Sequence, residues 1–303
     1  LAVDAPPATE NTAQFLRVAQ LLRRAGVAVP TIGAADPERG FVLVQNLGER
    51  LFARELRGDN ALTLYGEALF TLLAIAQAPA ADAPLPRFDA AFIRRELNLF
   101  TEWFVGPLLG LSLAAPEREM LSRLFEQLTQ RALAQPQVVM HRDFHSRNLL
   151  LKADGSLGVI DFQDAVVGPL SYDAVSLLRD CYLRLPAAAV RRWALAYGDM
   201  TIEAGLMPAS TSARHYLQDF DWMGLQRHIK VLGIFARLHL RDGKSHYLHD
   251  LPRVLAYVHN IATAYPELQD FAAWLDRRIL PACQAQPWYR VPPECDLEME
   301  GMP

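Results

Sequence analysis

Cysteine, basic excess and long apolar runs are all scarce in this chain of 303 residues. The three cysteines, Cys181, Cys283 and Cys295, are odd in number and lack metal-ligand spacing. They exclude a disulfide framework and fit a reducing, cytoplasmic setting. Lys plus Arg is 30 against 34 for Asp plus Glu, a formal charge of −4. A general nucleic-acid binder would show the opposite balance. No uncharged apolar run reaches the ~18 residues that a membrane span needs. The nearest, residues 68–81 and 104–116, are each interrupted by proline. The first residues, Leu1-Ala2-Val3-Asp4, lack the basic-then-apolar order of a signal peptide. Internal repeats and low-complexity tracts are absent as well. With 51% hydrophobic and 21% charged residues, bulk disorder is excluded.

What is present divides near Gly48. Leu1-Ala2-Val3 reads as the end of a strand with no beginning, which predicts a missing upstream piece. Phe15, Val18, Ala19, Leu22 and Ala25 recur at helical spacing ahead of Gly26, predicting a helix over 11–25. Phe41-Val42-Leu43-Val44 reads as a buried strand. Beyond residue 49, helical patterns cover 59–78, 89–105, 117–134, 171–183, 187–204, 212–241 and 251–279. One strand-like island interrupts them, at 138–140, 148–152 and 157–162, with Asp154-Gly155 as a hairpin turn. The expectation is an α+β fold with a small strand-bearing lobe over 1–48 and a large helical lobe over 49–303. Residues 286–303 are expected to run over the surface.

The island carries the chemistry. It reads His141-Arg142-Asp143-Phe144-His145-Ser146-Arg147-Asn148 and then Ile160-Asp161-Phe162. Phosphoryl transfer needs a carboxylate near the acceptor hydroxyl and oxygen ligands that hold Mg²⁺ against the phosphates. Asp143, with Asn148 five residues on, supplies both from one turn. A hairpin returns Asp161 to the same end. Asn148 and Asp161 suffice as protein ligands, because Mg²⁺ keeps phosphate oxygens and waters as its others. His141 is expected to hydrogen-bond structurally. His145 lies two after Asp143, where protein kinases often carry a lysine facing the γ-phosphate.

This order resembles the kinase pattern H-x-D-x-x-x-x-N followed by I-D-F. Gln163 stands where protein kinases have glycine, which points to the small-molecule kinases of the aminoglycoside phosphotransferase type. Gly168-Pro169-Leu170-Ser171-Tyr172-Asp173 resembles their G-x-P-x-x-D segment, which implies that Asp173 braces the catalytic loop. Within that superfamily, several segments are similar to the anomeric N-acetylmuramate/N-acetylglucosamine kinases of bacterial cell-wall recycling. They include Val3–Pro7, Ala25–Pro30, Glu102-Trp103-Phe104 and Asp221–His228.

The resemblance implies a protein-kinase-like two-lobed fold and a sugar kinase that uses ATP and Mg²⁺ to make a sugar 1-phosphate. Its only implied partner is a small sugar, with no nucleic acid and no membrane. It implies adenine contacts near Gln45, Asn46 and Leu47, a catalytic Asp143 and metal ligands Asn148 and Asp161. Two features depart from the protein-kinase pattern. Asp4 occupies the position of the phosphate-binding lysine, and no glycine-rich loop precedes it.

The acceptor side is read from residues 214–244, with six Lys or Arg against three Asp. Leu225, Ile229, Leu232, Ala236 and Leu240 share one helical face, and Arg227, Lys230, Arg237 and Arg241 the opposite one. Either this is a surface helix with a solvated basic face, or its N-terminal end lines the acceptor pocket. Local positive charge suits a neutral or anionic sugar better than a polycation, and arginine matches a carboxylate bidentately. Asp221, Trp222, Arg227 and His228 are the candidates, with Glu102 and Trp103. The alternatives are a kinase of the same fold for an aminoglycoside, a choline-like or a homoserine-like acceptor, and a catalytically silent nucleotide-binding scaffold.

Overall fold

A computed structural model describes residues 1–8 and 10–297 of the chain. Residues 298–303, the end of the expected surface stretch, lie outside it. No residue from 284 to 297 is buried. The chain forms two compact units: residues 1–87 with 136–213 and Leu297, and residues 88–135 with 214–296.

The first unit opens with β1 (Ala2–Asp4), α1 (Thr12–Arg24), β2 (Ile32–Asp36) and β3 (Phe41–Val44). The strands form an antiparallel sheet in the order β1-β3-β2, with Val3 opposite Val42 and Ala35 opposite Val42. β2 was not expected from the sequence. After Ile32, its residues Gly33, Ala34, Ala35 and Asp36 are weak strand formers, and pairing with β3 overrides that preference. The Asn11 side chain caps α1 by accepting from the Gln14 N–H at 3.0 Å. Helices α2 (Phe52–Glu55) and α3 (Ala61–Ala76) follow, and α3 stacks Tyr65 on Trp193 at 4.4 Å.

After the excursion of the second unit, β4 (Gln137–Met140) pairs with β7 (Val166–Pro169), and β5 (Leu149–Leu151) with β6 (Leu157–Val159). The turn of the β5–β6 hairpin carries Gly155 at φ +83°. Two backbone bonds tie this hairpin to the segments flanking β2 and β3. The Val159 N–H donates to Ala28 O and the Leu151 N–H to Arg50 O, both at 2.8 Å. A Cβ at Gly158 would come within 2.8 Å of Leu47 Cδ1, so the leucine side chain would have to turn aside. The unit continues with α6 (Tyr172–Leu178) and α7 (Ala187–Glu203).

The second unit is helical. It contains α4 (Ala90–Leu99), a π-helical continuation over Phe100–Leu108, and α5 (Ala115–Ala134). Then come α8 (Ala213–Leu240), α9 (Leu251–Ala264), α10 (Gln269–Trp274) and α11 (Leu280–Gln284). The single helix expected over 251–279 breaks after Ala264, because Pro266 cannot extend it. Its core includes Phe100 stacked on Phe104 at 5.5 Å and edge-on to Trp274 at 6.3 Å.

The solvated basic face is a reading that the structure corrects. Arg227 and Lys230 are buried, Arg237 is half-buried, and only Arg241 at the helix end is exposed. Lys230 Nζ lies 3.5 Å from Glu96 Oε1, also buried. Opposite charge on α4, not solvent, compensates the lysine. Gly233 lets α8 pass α4 at backbone distance, since a Cβ would meet the Leu99 carbonyl carbon at 2.3 Å. Among the described residues, no helix is long and apolar enough to cross a membrane. The three cysteines are free thiols.

Candidate active site

The segment between β4 and β5 is the expected catalytic loop, and its shape is imposed from several sides. His141 is buried, and its Nε2 lies 3.1 Å from Ile160 O. Its Nδ1 accepts the Asp143 N–H at 3.3 Å. Those two bonds select the neutral tautomer protonated at Nε2. Burial pushes its pKa down to about 4, against a smaller upward pull from the Asp143 charge. The imidazole thus joins the residue before Asp161 to Asp143, as its expected structural role requires.

Asp173, in the first turn of α6, accepts from the His141 N–H at 2.6 Å and the Arg142 N–H at 3.0 Å. The resemblance implied a bracing role for Asp173, and these are the contacts that Asp173 makes with the loop. Arg142 has φ +77° and Asp161 φ +64°, the non-glycine residues in the left-handed region among those described. Such strain persists only where surroundings over-determine it, and it gathers at functional sites.

Asn148 ties the aspartates together. Its side-chain amide donates to Asp143 O at 2.9 Å and to Asp161 Oδ2 at 3.2 Å. Its other side-chain atom is an oxygen, and the Asp161 carboxylate is solvent-accessible. An amide oxygen and a carboxylate on neighbouring side chains are the hard donors that suit a divalent cation completing its shell with water and phosphate. Gln163, treated in the sequence only as a departure, donates its amide to Asp161 Oδ1 at 2.8 Å. Its backbone carbonyl accepts from Gln14 Nε2 of α1 at 2.9 Å. Beside it Phe15 stacks on Phe162, with centroids 5.0 Å apart.

A cleft of about 810 Å³ opens within the first unit onto Asp161. That size suits a nucleotide-scale ligand. Val3, Val42 and Val44 of the sheet, the segment 45–49, and Leu150 and Ile160 of the hairpin region line it. The Gln45 N–H is engaged by Thr31 O at 2.8 Å. The backbone groups of Asn46 and Leu47 make no hydrogen bond to the described residues. Asp4, Glu10, Glu49 and Asp164 also line the cleft with Asp161. Five carboxylates disfavour a bare triphosphate and favour one accompanied by cations.

The expected acceptor residues all lie in the second unit. The Asp221 carboxylate accepts from the Tyr265 hydroxyl at 2.6 Å. The buried Trp222 ring has the Arg131 guanidinium over its face at 3.8 Å and Tyr265 edge-on at 6.0 Å. His228 stacks on Tyr257 at 4.7 Å, and both His228 and Arg227 are buried. Glu102 is exposed on the π-helical segment, with Trp103 half-buried beside it. Three of these side chains, Trp222, Arg227 and His228, are thus built into the helical core. Sequence reasoning passed over Gln226, one turn from Trp222. It is fully buried, and neither side-chain amide atom has a hydrogen-bond partner among the described residues. A glutamine on a helix face that reads as apolar was the available signal.

Comparison with known proteins agrees with this geometry. The model of the family described as "Phosphotransferase enzyme family" matches residues 1–209. The N-acetylmuramate/N-acetylglucosamine kinase of Pseudomonas putida is 42% identical over 88% of this chain and 78% of its own length. The enzyme of the same name from Pseudomonas aeruginosa is 40% identical over 90% of this chain and 80% of its own. Among solved structures, the ADP-bound aminoglycoside phosphotransferase APH(2'')-Ib is similar at a TM-score of 0.53 and 15% identity. The match covers 83% of each chain. The fold is therefore the α+β, protein-kinase-like one. With Asp143 and Asn148 of the β4–β5 loop joined to Asp161 beside a nucleotide-sized cleft, the chain is a member of the phosphotransferase enzyme family.

Proposed function

We propose that this phosphotransferase is an ATP- and Mg²⁺-dependent kinase acting on the anomeric hydroxyl of N-acetylmuramate and N-acetylglucosamine. The product is the sugar 1-phosphate, formed in the cytoplasm for reuse of peptidoglycan amino sugars. The relatives' names support the substrate. The observation that carries the chemistry is Asn148, whose amide bridges Asp143 and Asp161. Neither the aminoglycoside, choline-like or homoserine-like reading nor the scaffold reading is favoured by those relatives.

In this mechanism the Asp143 carboxylate accepts a hydrogen bond from the sugar hydroxyl and orients it. The hydroxyl oxygen forms a bond to the γ-phosphorus while the bond from phosphorus to the β–γ bridging oxygen breaks. ADP leaves with that electron pair, and Asp143 takes the hydroxyl proton. Asn148 and Asp161 hold Mg²⁺, which offsets the charge developing on the phosphates. Asn46 and Leu47 present backbone groups to adenine, and the lobe boundary falls at residue 48. His145 faces the transferred phosphate. Asp221, Trp222, Arg227, His228 and Glu102 serve sugar recognition, directly or by shaping the helical unit.

Coupled ADP release from the full-length protein tests the reading, with ATP, Mg²⁺ and each N-acetyl sugar, and kanamycin beside them. Turnover with the sugars, lost in Asp143→Ala, supports it, and phosphorus NMR places the phosphate on the anomeric oxygen. Activity on kanamycin alone overturns the substrate.

A further inference from the structure

The sequence pattern extends a helix over 171–183, but α6 stops at Leu178. Asp180 is the cause. Its Oδ1 accepts the Tyr182 N–H at 2.8 Å, an Asx-type turn that competes with helix continuation. Its Oδ2 accepts the Ser146 N–H at 2.9 Å. Asp180 and Ser146 are 1% and 0% exposed, so neither group finds solvent if the bond breaks.

The turn also presents the Tyr182 ring to the catalytic loop. His145 meets it edge-on, with centroids 5.2 Å apart at 79°. The Arg147 guanidinium sits 3.5 Å from the ring centroid on the same residue. Three consecutive loop residues, 145 to 147, are therefore held by Asp180 and Tyr182. They lie between Asp143 and Asn148. Asp173 holds residues 141 and 142 from the other end of α6.

We infer that Asp180 and Tyr182 are positioning residues for phosphoryl transfer. They fix the His145–Arg147 segment, and with it the separation of Asp143 from Asn148. The inference rests on the proposed roles of those two residues. A small displacement of a reacting group costs rate far more than it costs ground-state binding. Neither Asp180 and Tyr182 nor residues 145–147 line the cleft, so the clamp is expected to act on turnover rather than on ATP binding.

Tyr182→Leu removes the ring, and Tyr182→Phe keeps it. In coupled ADP release with ATP, Mg²⁺ and N-acetylmuramate, Tyr182→Leu is expected to lower kcat about tenfold or more. The KM for ATP is expected to stay within about twofold, and Tyr182→Phe to stay near the parent. Amide exchange over residues 141–150 gives a second reading that needs no turnover. Asp180→Asn is expected to release protection at Ser146 while global melting remains cooperative.

Parent-like kcat in Tyr182→Leu overturns the inference, as does unchanged Ser146 protection in Asp180→Asn. Equal loss in Tyr182→Phe and Tyr182→Leu overturns the role of the ring. A parent protein silent with both sugars overturns the proposed substrate instead, and the exchange measurement still decides the clamp.

Discussion

Gln163 donates its side-chain amide to Asp161 Oδ1 at 2.8 Å, while Asn148 holds the other carboxylate oxygen at 3.2 Å. The position that is glycine in protein kinases here orients Asp161, the aspartate proposed to hold the metal. Because Gln14 of α1 donates to the Gln163 carbonyl, the placement of α1 and of Asp161 are linked through one residue.

Gln163→Ala removes the hold on a carboxylate whose backbone sits at φ +64°. The Mg²⁺ concentration for half-maximal ADP release is expected to rise by about tenfold, the scale of losing a group that orients a metal ligand. An unchanged Mg²⁺ titration removes this role from Gln163. Gln14→Ala is expected to act in the same direction and more weakly, since it touches only the backbone carbonyl.

Stability is expected to fall in acid through His141. Folded, its pKa is held at about 4 by burial, below the 6.5 of a free imidazole. Between those values the unfolded chain binds the proton and the folded chain does not. The native advantage is complete above about 6.5 and declines by up to about 1.4 kcal/mol per unit as pH falls towards 4. Urea melts at several pH values read this slope, and His141→Gln is expected to flatten it even if it lowers stability throughout.

The wall of the cleft formed by Leu47 lies against Gly158, which has no Cβ. Gly158→Ala places a methyl 2.8 Å from Leu47 Cδ1, so the leucine must rotate or the segment 45–48 must shift. The KM for ATP is expected to rise severalfold, about 2–5-fold, while kcat stays close to parent, the signature of lost uniform binding. Leu47→Ala in the same chain is expected to recover most of the loss. Additive losses in the double variant would falsify a steric origin.

Lys230 and Glu96 form a pair that is buried on both sides. Lys230→Met is expected to cost about 3–5 kcal/mol, because it removes the cation 3.5 Å from a buried carboxylate. Adding Glu96→Gln is expected to return most of that loss, read as the midpoint of urea denaturation. A Lys230→Met protein as stable as the parent would show that solvent or another cation already serves Glu96.

Local pattern was enough for most of the helices and for the catalytic hairpin. Apolar spacing at 15, 18, 19 and 22 marks α1, and Asp154-Gly155 marks a turn that only flexible residues make easily. β2 was not legible, because Gly33, Ala34 and Ala35 have no strand preference of their own and are held by β3. The end of α6 was missed for the converse reason. Its continuation is favourable locally, and Asp180 stops it by bonding to Ser146, 34 residues earlier.

The sequence by itself determined that Asp143, Asn148 and Asp161 stand in one short island, and loop and hairpin geometry bring such spacings together. It also determined the family, through motifs that need no long-range contact to be read. Only the tertiary structure decided what holds those groups. Gln163 on Asp161, the Asp180–Tyr182 clamp and the burial of Arg227 and Lys230 all depend on residues distant in the chain or on which faces are covered. Helical periodicity places charges on a face, but whether that face meets water or a carboxylate on another helix is settled by packing.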